Sequence, residues 1–398
     1  MACCCDGVLL HDDDGSCEDE HHKPTKPANE QMSTKVVRGG GAVLPMEVGA
    51  EHEARLQREA ASWAGAGVAP TPAAADGGAE LPLPELDFAS YLAGGEVGPL
   101  AEQLRAACEH GAGFFYAVNH GCGPELEALF GASARFHALA EEAKLALAEE
   151  SSGGLGVGYL AVGHRKLPRR ADGNRNASLI FKRGKVALAG GGVRQLELAD
   201  NPWPGEGLLP GFRAAVEAYA SAAERFARRL VRVYAAALGL DEGFFDAPAA
   251  APLWRLRLSH YPPTPAGARG YGIAPHVDTS FFTLLAQDAV PGLVLCRTDG
   301  TWRAVPAFDG GAAARPLLVN TGELLKMWSN DRFCSTRHYV LPTPGDGSAP
   351  QGRFSVPFFF NVDAAHEMTC LPTCTGPGNA PRYAPMSYLQ SQGVAQGE

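Results

Sequence analysis

The stretch HVDTSFFTLL, residues 276–285, places a histidine and an aspartate two positions apart, immediately before a run of apolar residues. On an extended chain, side chains at positions i and i+2 lie on the same face. His276 and Asp278 can therefore reach a common ion from the end of a strand. Such a metal site needs a third ligand from elsewhere in the chain, so the neighbouring sequence decides the interpretation.

The C-terminal part of the chain, from Trp254 onward, has the pattern of an all-β core. Its apolar runs are short, of strand type, and read LWRLRLSHY, SFFTLLAQD, GLVLCRTDGTWRAVP, RPLLVNTG and RFSVPFFFNVD. Turns rich in Pro, Gly and Asp separate these runs, and Asp299-Gly300 marks a hairpin. Many short strands with turn signals predict a β-sandwich or barrel.

The preceding part of the chain predicts helices. A continuous apolar stripe with spacings of three and four residues begins after Pro210 and ends at Gly239, which is typical of a long helix packed on a core. Two shorter stripes lie ahead of it, formed by Leu100, Leu104, Ala107 and Cys108 and by Leu126, Leu129, Phe130 and Phe136. The chain is therefore expected to be α+β and mainly β, with helices first and strands after them.

Three segments follow from these patterns. Residues 1–78 are rich in Gly, Ala, Asp and Glu and poor in aromatics. Such a segment buries too little apolar surface to offset the cost of ordering, so we expect a mostly disordered extension with a short helix around Met46–Trp63. Residues 79–245 are predicted to form an N-terminal helical module. Residues 246–398 are predicted to form the β domain with a C-terminal segment.

Composition and charge exclude several classes of function. The net charge of −10 over 398 residues argues against nucleic-acid or anionic-membrane partners. No run of 18 apolar residues predicts a transmembrane helix, and the N-terminus lacks the features of a secretory signal. The ten cysteines show no disulfide framework, which favours a reducing compartment. We expect a cytoplasmic monomer that acts on a small molecule.

His338, in CSTRHYVLP, is the candidate third ligand. It lies on another apolar run, far enough downstream for a returning strand to bring it beside His276 and Asp278. Two histidines and one carboxylate form a facial triad that leaves three positions of an octahedral ion open, as in non-haem Fe(II) oxygenases. Zinc is the chemical competitor, although the HExxH motif typical of hydrolytic zinc sites does not occur in the sequence.

Arg353 and Ser355, in GRFSVPFFF, share one face of the strand that follows His338. An arginine that points into an apolar barrel needs an anionic partner, because an unpaired buried charge is costly. Arginine binds a carboxylate through two parallel hydrogen bonds. A small carboxylate near the metal is the obvious ligand, and the hydroxyl of Tyr261, in WRLRLSHYPP, can add a further hydrogen bond.

With HVD, NTGELLKMWSN, His338 and RFS in this order, the chain resembles the isopenicillin-N-synthase-like Fe(II)/2-oxoglutarate-dependent dioxygenases. Upstream, LPELDF, GFFYAVNHG, FHALAEEAK and NPWP resemble the helical module that precedes the barrel in this family, and PRYAPMSYL resembles its closing segment. The resemblance covers roughly residues 80–390. It implies a double-stranded β-helix of jelly-roll or cupin-like type, flanked by helices.

The resemblance also implies roles for individual residues. It assigns three Fe(II) ligands, which also form the catalytic centre: His276, Asp278 and His338. Arg353 and Ser355 are implied to bind the distal carboxylate of the co-substrate 2-oxoglutarate, assisted by Tyr261. The implied reaction uses O2 to hydroxylate or desaturate a small organic molecule with release of succinate and CO2, with ascorbate as a candidate reductant.

Two alternatives remain open from the sequence. In the same family the RxS pair can hold a substrate carboxylate, as in the oxidases that close the penicillin rings without 2-oxoglutarate. A non-catalytic binding module on the same fold is the other alternative, and the three intact ligand types disfavour it. Ser259 stands where many plant members have asparagine, which puts one co-substrate contact in doubt. By analogy of position, four aromatic residues are candidates for the substrate pocket, although we expect at least half of them to be core residues instead: Tyr159, Phe181, Phe281 and Phe359.

Overall fold

The structure is a computed structural model, and it describes residues 81–164, 174–188, 192–265, 270–297, 300–308 and 315–391. The extension predicted at residues 1–78, with its helix at Met46–Trp63, lies outside the described residues, as does Asp299. Among the described residues, every helix is too short or too polar to cross a bilayer.

Most helical residues lie before Leu253, and most of the described strands begin at or after it. The strands are β1 (Glu85–Asp87), β2 (Phe114–Val118), β3 (Gly158–Leu160), β4 (Ala177–Ala187), β5 (Val193–Leu196), β6 (Leu253–Tyr261), β7 (Ile273–His276), β8 (Phe282–Gln287), β9 (Leu293–Cys296), β10 (Trp302–Ala304), β11 (Leu317–Thr321), β12 (His338–Val340) and β13 (Arg353–Asn361). The α-helices are α1 (Ala89–Leu92), α2 (Gly98–Glu109), α3 (Gly123–His137), α4 (Glu141–Leu145), α5 (Phe212–Ala237), α6 (Glu323–Trp328) and α7 (Tyr388–Ser391). Short 3-10 segments lie at Glu149–Ser152, Leu198–Asp200 and Pro372–Cys374.

Two sheets form the barrel. The larger sheet has the strand order β1-β2-β11-β8-β13-β6-β4-β3, with β5 paired to β4, and the smaller one has the order β10-β9-β12-β7. Side chains from both sheets meet in one buried cluster, which includes Tyr261 and Leu318 from the larger sheet and Leu295 and Val340 from the smaller one. This is the predicted double-stranded β-helix core with helices packed against it.

Strict alternation along β6 and β13 sorts their side chains between two environments. Leu256, Leu258, Val356 and Phe358 belong to the main hydrophobic core, which they share with the helices. The intervening residues point to the opposite face, inside the barrel. A strand therefore presents apolar side chains to the helices and polar side chains to the barrel interior, and this arrangement positions the site described below.

Helix α5 confirms the predicted apolar stripe. Its buried residues include Val216, Phe226, Leu230 and Val233, which belong to the same core cluster as the strands. Gly239 follows the helix with φ of +75°, a conformation that glycine adopts at little cost at a helix C-terminus. The predicted boundary between the helical module and the β domain, at residues 245–246, stays a prediction.

Candidate active site

Strand pairing brings the three predicted metal ligands together. His276 ends β7 and His338 begins β12, and the two residues lie directly opposite each other in the antiparallel pair. Their imidazole centroids are 4.3 Å apart. Asp278 Oδ1 lies 3.6 Å from His276 Nε2 and 3.8 Å from His338 Nε2. One ligand atom from each residue lies within 4.8 Å of the other two.

Backbone carbonyls orient both imidazoles. The Nδ1 atom of His276 is 2.9 Å from the carbonyl oxygen of Ala274, and that of His338 is 3.0 Å from the carbonyl oxygen of Thr336. A carbonyl oxygen can only accept, so each Nδ1 carries the proton. Each Nε2 then directs its lone pair toward Asp278, which is the tautomer that a metal ligand requires.

The Asp278 carboxylate is fixed by two residues that the sequence reasoning did not single out. Thr283 Oγ1 and Asn320 Nδ2 both donate to Asp278 Oδ2, at 2.6 Å and 2.9 Å. Burial by itself raises the pKa of this carboxyl. The neighbouring His338 and His276 and the two donated hydrogen bonds outweigh burial and hold the pKa below its ordinary value. Asp278 is therefore ionised at neutral pH, with Oδ1 turned toward the histidines.

The NTGELL segment, residues 320–325, packs against the loop that carries Asp278. The backbone N–H of Glu323 donates to the carbonyl of Asp278 at 2.7 Å, and that of Gly322 donates to the carbonyl of Phe281 at 3.0 Å. A Cβ atom at Gly322 would collide with the carbonyl of Ser280. Glycine is thus required where the end of β11 meets the loop that carries Asp278. This contact and the Asn320 side chain account for the asparagine and the glycine of the NTG motif.

The donor set fits Fe(II). Two imidazole nitrogens and one carboxylate oxygen converge from one side, which leaves the opposite positions of an octahedral ion for other ligands. The acid is buried and ionised, and an ion at this point would compensate the cost of that buried charge.

Arg353 offers a hydrogen-bond donor inside the barrel. The residue is only 1% exposed. Its Nη2 donates to Gln287 Oε1 at 2.6 Å and its Nε donates to the carbonyl of Val290 at 3.2 Å. Its Nη1 is buried and has no hydrogen-bond partner within the described part of the chain. A buried cation with one donor left over is suited to an anionic ligand.

The other two predicted co-substrate residues lie beside this arginine. Tyr261 is directly opposite Arg353 in the β6–β13 pair, and its ring centroid is 4.9 Å from the guanidinium carbon. Ser355 Oγ donates to the Tyr261 hydroxyl at 3.5 Å. Ser259, which replaces the asparagine of many plant relatives, lies opposite Ser355 and shares a 3.2 Å hydrogen bond with Ser178.

A cavity of about 130 Å³ is lined by residues of β4, β6 and β13. Thr279 and Ser280, which directly follow Asp278, line it together with Phe359, as expected for that aromatic residue. The other three aromatic candidates are core residues, as expected for at least half of the four: Tyr159, Phe181 and Phe281. All three are buried in the main core, because the alternation of their strands and loops turns them toward the helices.

Comparison with known proteins identifies the family. Residues 255–362 match the model of the 2OG-Fe(II) oxygenase superfamily, and residues 83–204 match the model described as non-haem dioxygenase in morphine synthesis N-terminal. The 2-oxoglutarate-Fe(II) type oxidoreductase hxnY of Emericella nidulans is 30% identical over 79% of this chain and 91% of its own length. Azadirone synthase LFS of Melia azedarach is 32% identical over 72% of this chain and 84% of its own length.

Solved structures show the same fold. A full-length Neurospora crassa protein, solved in complex with alpha-KG, superposes with a TM-score of 0.63 at 24% identity, over 78% of this chain and 94% of that one. A 2OG-Fe(II) oxygenase family protein from Caulobacter crescentus gives a TM-score of 0.64 at 24% identity, over 78% of this chain and 96% of that one.

These matches, together with the fold, define a class: the chain belongs to the 2OG-Fe(II) oxygenase superfamily. It is an oxidoreductase of the 2-oxoglutarate-dependent dioxygenase type, and its cofactors are Fe(II) and 2-oxoglutarate. The two alternatives left open by the sequence, an oxidase without 2-oxoglutarate and a non-catalytic module, are set aside.

Proposed function

We propose that His276, Asp278 and His338 hold the catalytic Fe(II) ion. The observation that carries this assignment is the convergence of their ligand atoms within 4.8 Å of one another. The backbone carbonyls that hold both Nδ1 atoms support it, and so do the hydrogen bonds that hold Asp278 Oδ2. Each ligand is thus oriented before the metal binds, which is the usual role of such outer contacts.

The distal carboxylate of 2-oxoglutarate binds Arg353, Ser355 and Tyr261 in this proposal. Arg353 contributes its buried Nη1, which has no other partner among the described residues. The Tyr261 and Ser355 hydroxyls lie within 3.5 Å of each other on the same inner face. A charge-assisted hydrogen bond from a buried arginine fixes both the position and the direction of a dicarboxylate.

The metal, when bound, supplies the O2 chemistry, and the chain positions the reactants and excludes water. Asp278 stays ionised because the neighbouring His338 and His276, together with the hydrogen bonds from Thr283 and Asn320, outweigh its burial. The ring of Phe114 meets the His338 imidazole edge-on, with centroids 5.6 Å apart, and belongs to the apolar cluster around Tyr261. This apolar wall keeps the space between metal and arginine dry, which strengthens the electrostatic contacts there.

The substrate in this proposal is a small organic molecule that is hydroxylated or desaturated while succinate and CO2 are released. The cavity beside Thr279 and Ser280 supports this size class. The protein acts as a cytoplasmic monomer without nucleic-acid partners, in line with its net charge of −10. Residues 79–245 and 246–398 are its helical module and its catalytic β domain.

An anaerobic Fe(II) titration of the full chain tests these assignments. We expect a weak visible charge-transfer band when 2-oxoglutarate is added, because the co-substrate chelates the bound iron. His276→Ala abolishes iron binding, whereas Arg353→Gln retains iron and loses the band at the same 2-oxoglutarate concentration. Arg213→Gln, an exposed arginine on α5, is the matched control and keeps the band. Iron binding without any band in the wild type would contradict the co-substrate assignment.

A further inference from the structure

The barrel interior contains more buried positive charge than the proposed metal and co-substrate sites use. Arg255 and Arg257 lie on the same face of β6 as Ser259 and Tyr261. Lys182 of β4 lies directly opposite Arg255. These three cations form a stripe on the inner face, separate from Arg353.

Arg257 is the most buried of the three and is 5% exposed. Its Nη2 donates to Ser178 Oγ at 2.9 Å. Its Nε is buried and, among the described residues, has no hydrogen-bond partner. Burial, reinforced by the positive charge of Arg255, lowers the pKa of Arg257 to about 10. Burial of a charged guanidinium with an unpaired donor costs folding free energy unless an anion pairs with it.

The nearby carboxylate is already engaged. Asp278 is close enough to Arg257 to affect its pKa, but Thr283 and Asn320 bind one of its oxygens and the two histidines face the other. No side-chain carboxylate in the described part of the chain lies within ion-pair distance of Arg257. Within the described residues, Arg257 therefore keeps a buried donor that is available to a bound anion.

This anion is distinct from the distal carboxylate of 2-oxoglutarate. Arg353 lies opposite Tyr261, and Tyr261 is four residues along β6 from Arg257. At a rise of 3.2–3.4 Å per residue the backbones at positions 257 and 261 are roughly 13 Å apart, and the two guanidinium groups donate to different partners: Ser178 for Arg257, Gln287 and the carbonyl of Val290 for Arg353. Arg257 lies between the Tyr261 end of the barrel and the cavity that Arg255 lines.

The cavity combines apolar walls with two further cations. The Arg255 guanidinium lies 4.3 Å from the ring centroid of Phe359, and its buried Nε has no hydrogen-bond partner in the described residues. Lys182 Nζ donates to the carbonyl of Leu155 at 2.7 Å, and burial together with Arg255 lowers its pKa to about 8. Leu253 and Phe359 supply apolar surface to the same cavity.

We propose that the substrate is a small organic acid with an apolar body, and that Arg257 binds its carboxylate while its body packs against Phe359. This inference rests on the proposed function and names the substrate class of that site. A carboxylate accepts two parallel hydrogen bonds from a guanidinium, which would satisfy the buried Nε together with one terminal nitrogen. Lys182 and Arg255 attract the anion to the cavity, and Arg257 makes the site prefer substrates that carry a carboxylate.

The test uses the full chain under anaerobic conditions with Fe(II) and 2-oxoglutarate. The probes are phenylacetate, cinnamate and octanoate, each compared with its primary amide, which has nearly the same shape and no charge. Binding is measured from the change in the charge-transfer band and from the melting temperature. We expect at least one acid to bind about 30-fold or more tightly than its amide, because the amide leaves the buried cation unpaired. Arg257→Gln removes this preference and Arg213→Gln keeps it.

Several results would overturn the inference. These are equal binding of acids and amides, acid binding that Arg257→Gln leaves unchanged, and a panel in which no acid binds. Loss of the band in Arg257→Gln before any probe is added would also overturn it, because Arg257 would then hold the co-substrate. Arg257→Lys retains the charge and part of the acid preference, which separates a binding defect from a folding defect.

Failure of the proposed function gives a different result. The wild-type protein would then show no band with Fe(II) and 2-oxoglutarate. Acid binding would still be measured by the melting temperature in that case, so the two proposals are judged separately.

Discussion

At the residue scale, the Asp278 carboxylate divides its two oxygens between two tasks. Oδ2 accepts hydrogen bonds from Thr283 and Asn320, and Oδ1 faces the two histidines. The two histidines and the two hydrogen bonds all favour the ionised form, so the acid stays charged in spite of its burial. This division orients the oxygen that faces the metal before any metal is present.

Replacing Thr283 with valine removes the shorter of these two hydrogen bonds without a large change in shape. We expect Thr283→Val to weaken Fe(II) binding about 10–100-fold, because contacts to a ligating carboxylate typically carry that much of the affinity. Anaerobic Fe(II) titration measures it. Thr283→Ser keeps the hydroxyl and is expected to bind as the wild type does. Equal affinity in the valine variant would show that the hydrogen bond does not orient the ligand.

The sequence could predict those site residues that lie two positions apart on one strand, because this spacing places their side chains on the same face. His276 with Asp278, and Arg353 with Ser355, are i and i+2 pairs, so a single strand fixes their common face. Thr283, Asn320, Gln287 and Ser178 could not be assigned roles in this way. Their contacts depend on the register between strands that are distant in sequence, which local patterns do not specify.

At the element scale, α3 packs onto β6 through a buried histidine. His137, in the last turn of α3, donates from Nε2 to the carbonyl of Leu258 at 3.1 Å. Burial, together with the nearby His260, lowers the pKa of His137 from 6.5 to about 3. The helix is therefore docked by a neutral imidazole that resists protonation.

The acid stability of the protein follows from this contact. Between about pH 6.5 and pH 3 the unfolded chain binds a proton at position 137 that the folded chain does not bind. The contribution of His137 to stability is therefore complete above pH 6.5 and is lost as the pH falls. We expect His137→Gln to flatten the decrease in melting temperature over this range, and the exposed His110→Gln to leave it unchanged. An identical acid slope in His137→Gln would contradict the assignment.

The bounds of elements with strong periodicity could be predicted closely from the sequence. The side of a strand on which a single aromatic residue lies could not. The run LWRLRLSHY coincides with β6, and the stripe between Pro210 and Gly239 contains α5. Phe181 is a core residue and does not line the pocket, because its neighbours Ile180 and Lys182 take the inner face of β4. Its ring instead stacks on Trp203 at a centroid distance of 4.6 Å. Which face of a strand is covered by helices depends on the tertiary packing.

At the scale of the whole molecule, one hydrophobic core joins the helices to the larger sheet. Phe226 of α5 lies in this core, where its ring meets Phe88 edge-on at a centroid distance of 4.9 Å. The same cluster contains Leu256 and Phe358 from the catalytic strands. Because they share this core, the proposed helical module and β domain are expected to unfold as one cooperative unit.

Phe226→Ala tests this expectation. Truncation of a fully packed phenylalanine typically costs about 3–5 kcal/mol of unfolding free energy, whereas truncation of the exposed Phe244 is expected to change it by about 0.5 kcal/mol or less. Urea unfolding is followed by far-ultraviolet circular dichroism and by tryptophan fluorescence. The two probes should show coincident transitions in both variants. Separate transitions for helices and strands would show that the two segments are independent folding units.

The metal and co-substrate assignments can be tested together in an anaerobic crystal structure with Mn(II), as a stand-in for Fe(II), and 2-oxoglutarate. We predict an anomalous peak for a metal bonded to His276 Nε2, Asp278 Oδ1 and His338 Nε2. We also predict that the distal carboxylate of 2-oxoglutarate accepts a hydrogen bond from Arg353 Nη1 beside Tyr261 and Ser355. A metal held by other residues, or a co-substrate whose distal carboxylate lies on Arg257, would contradict these assignments.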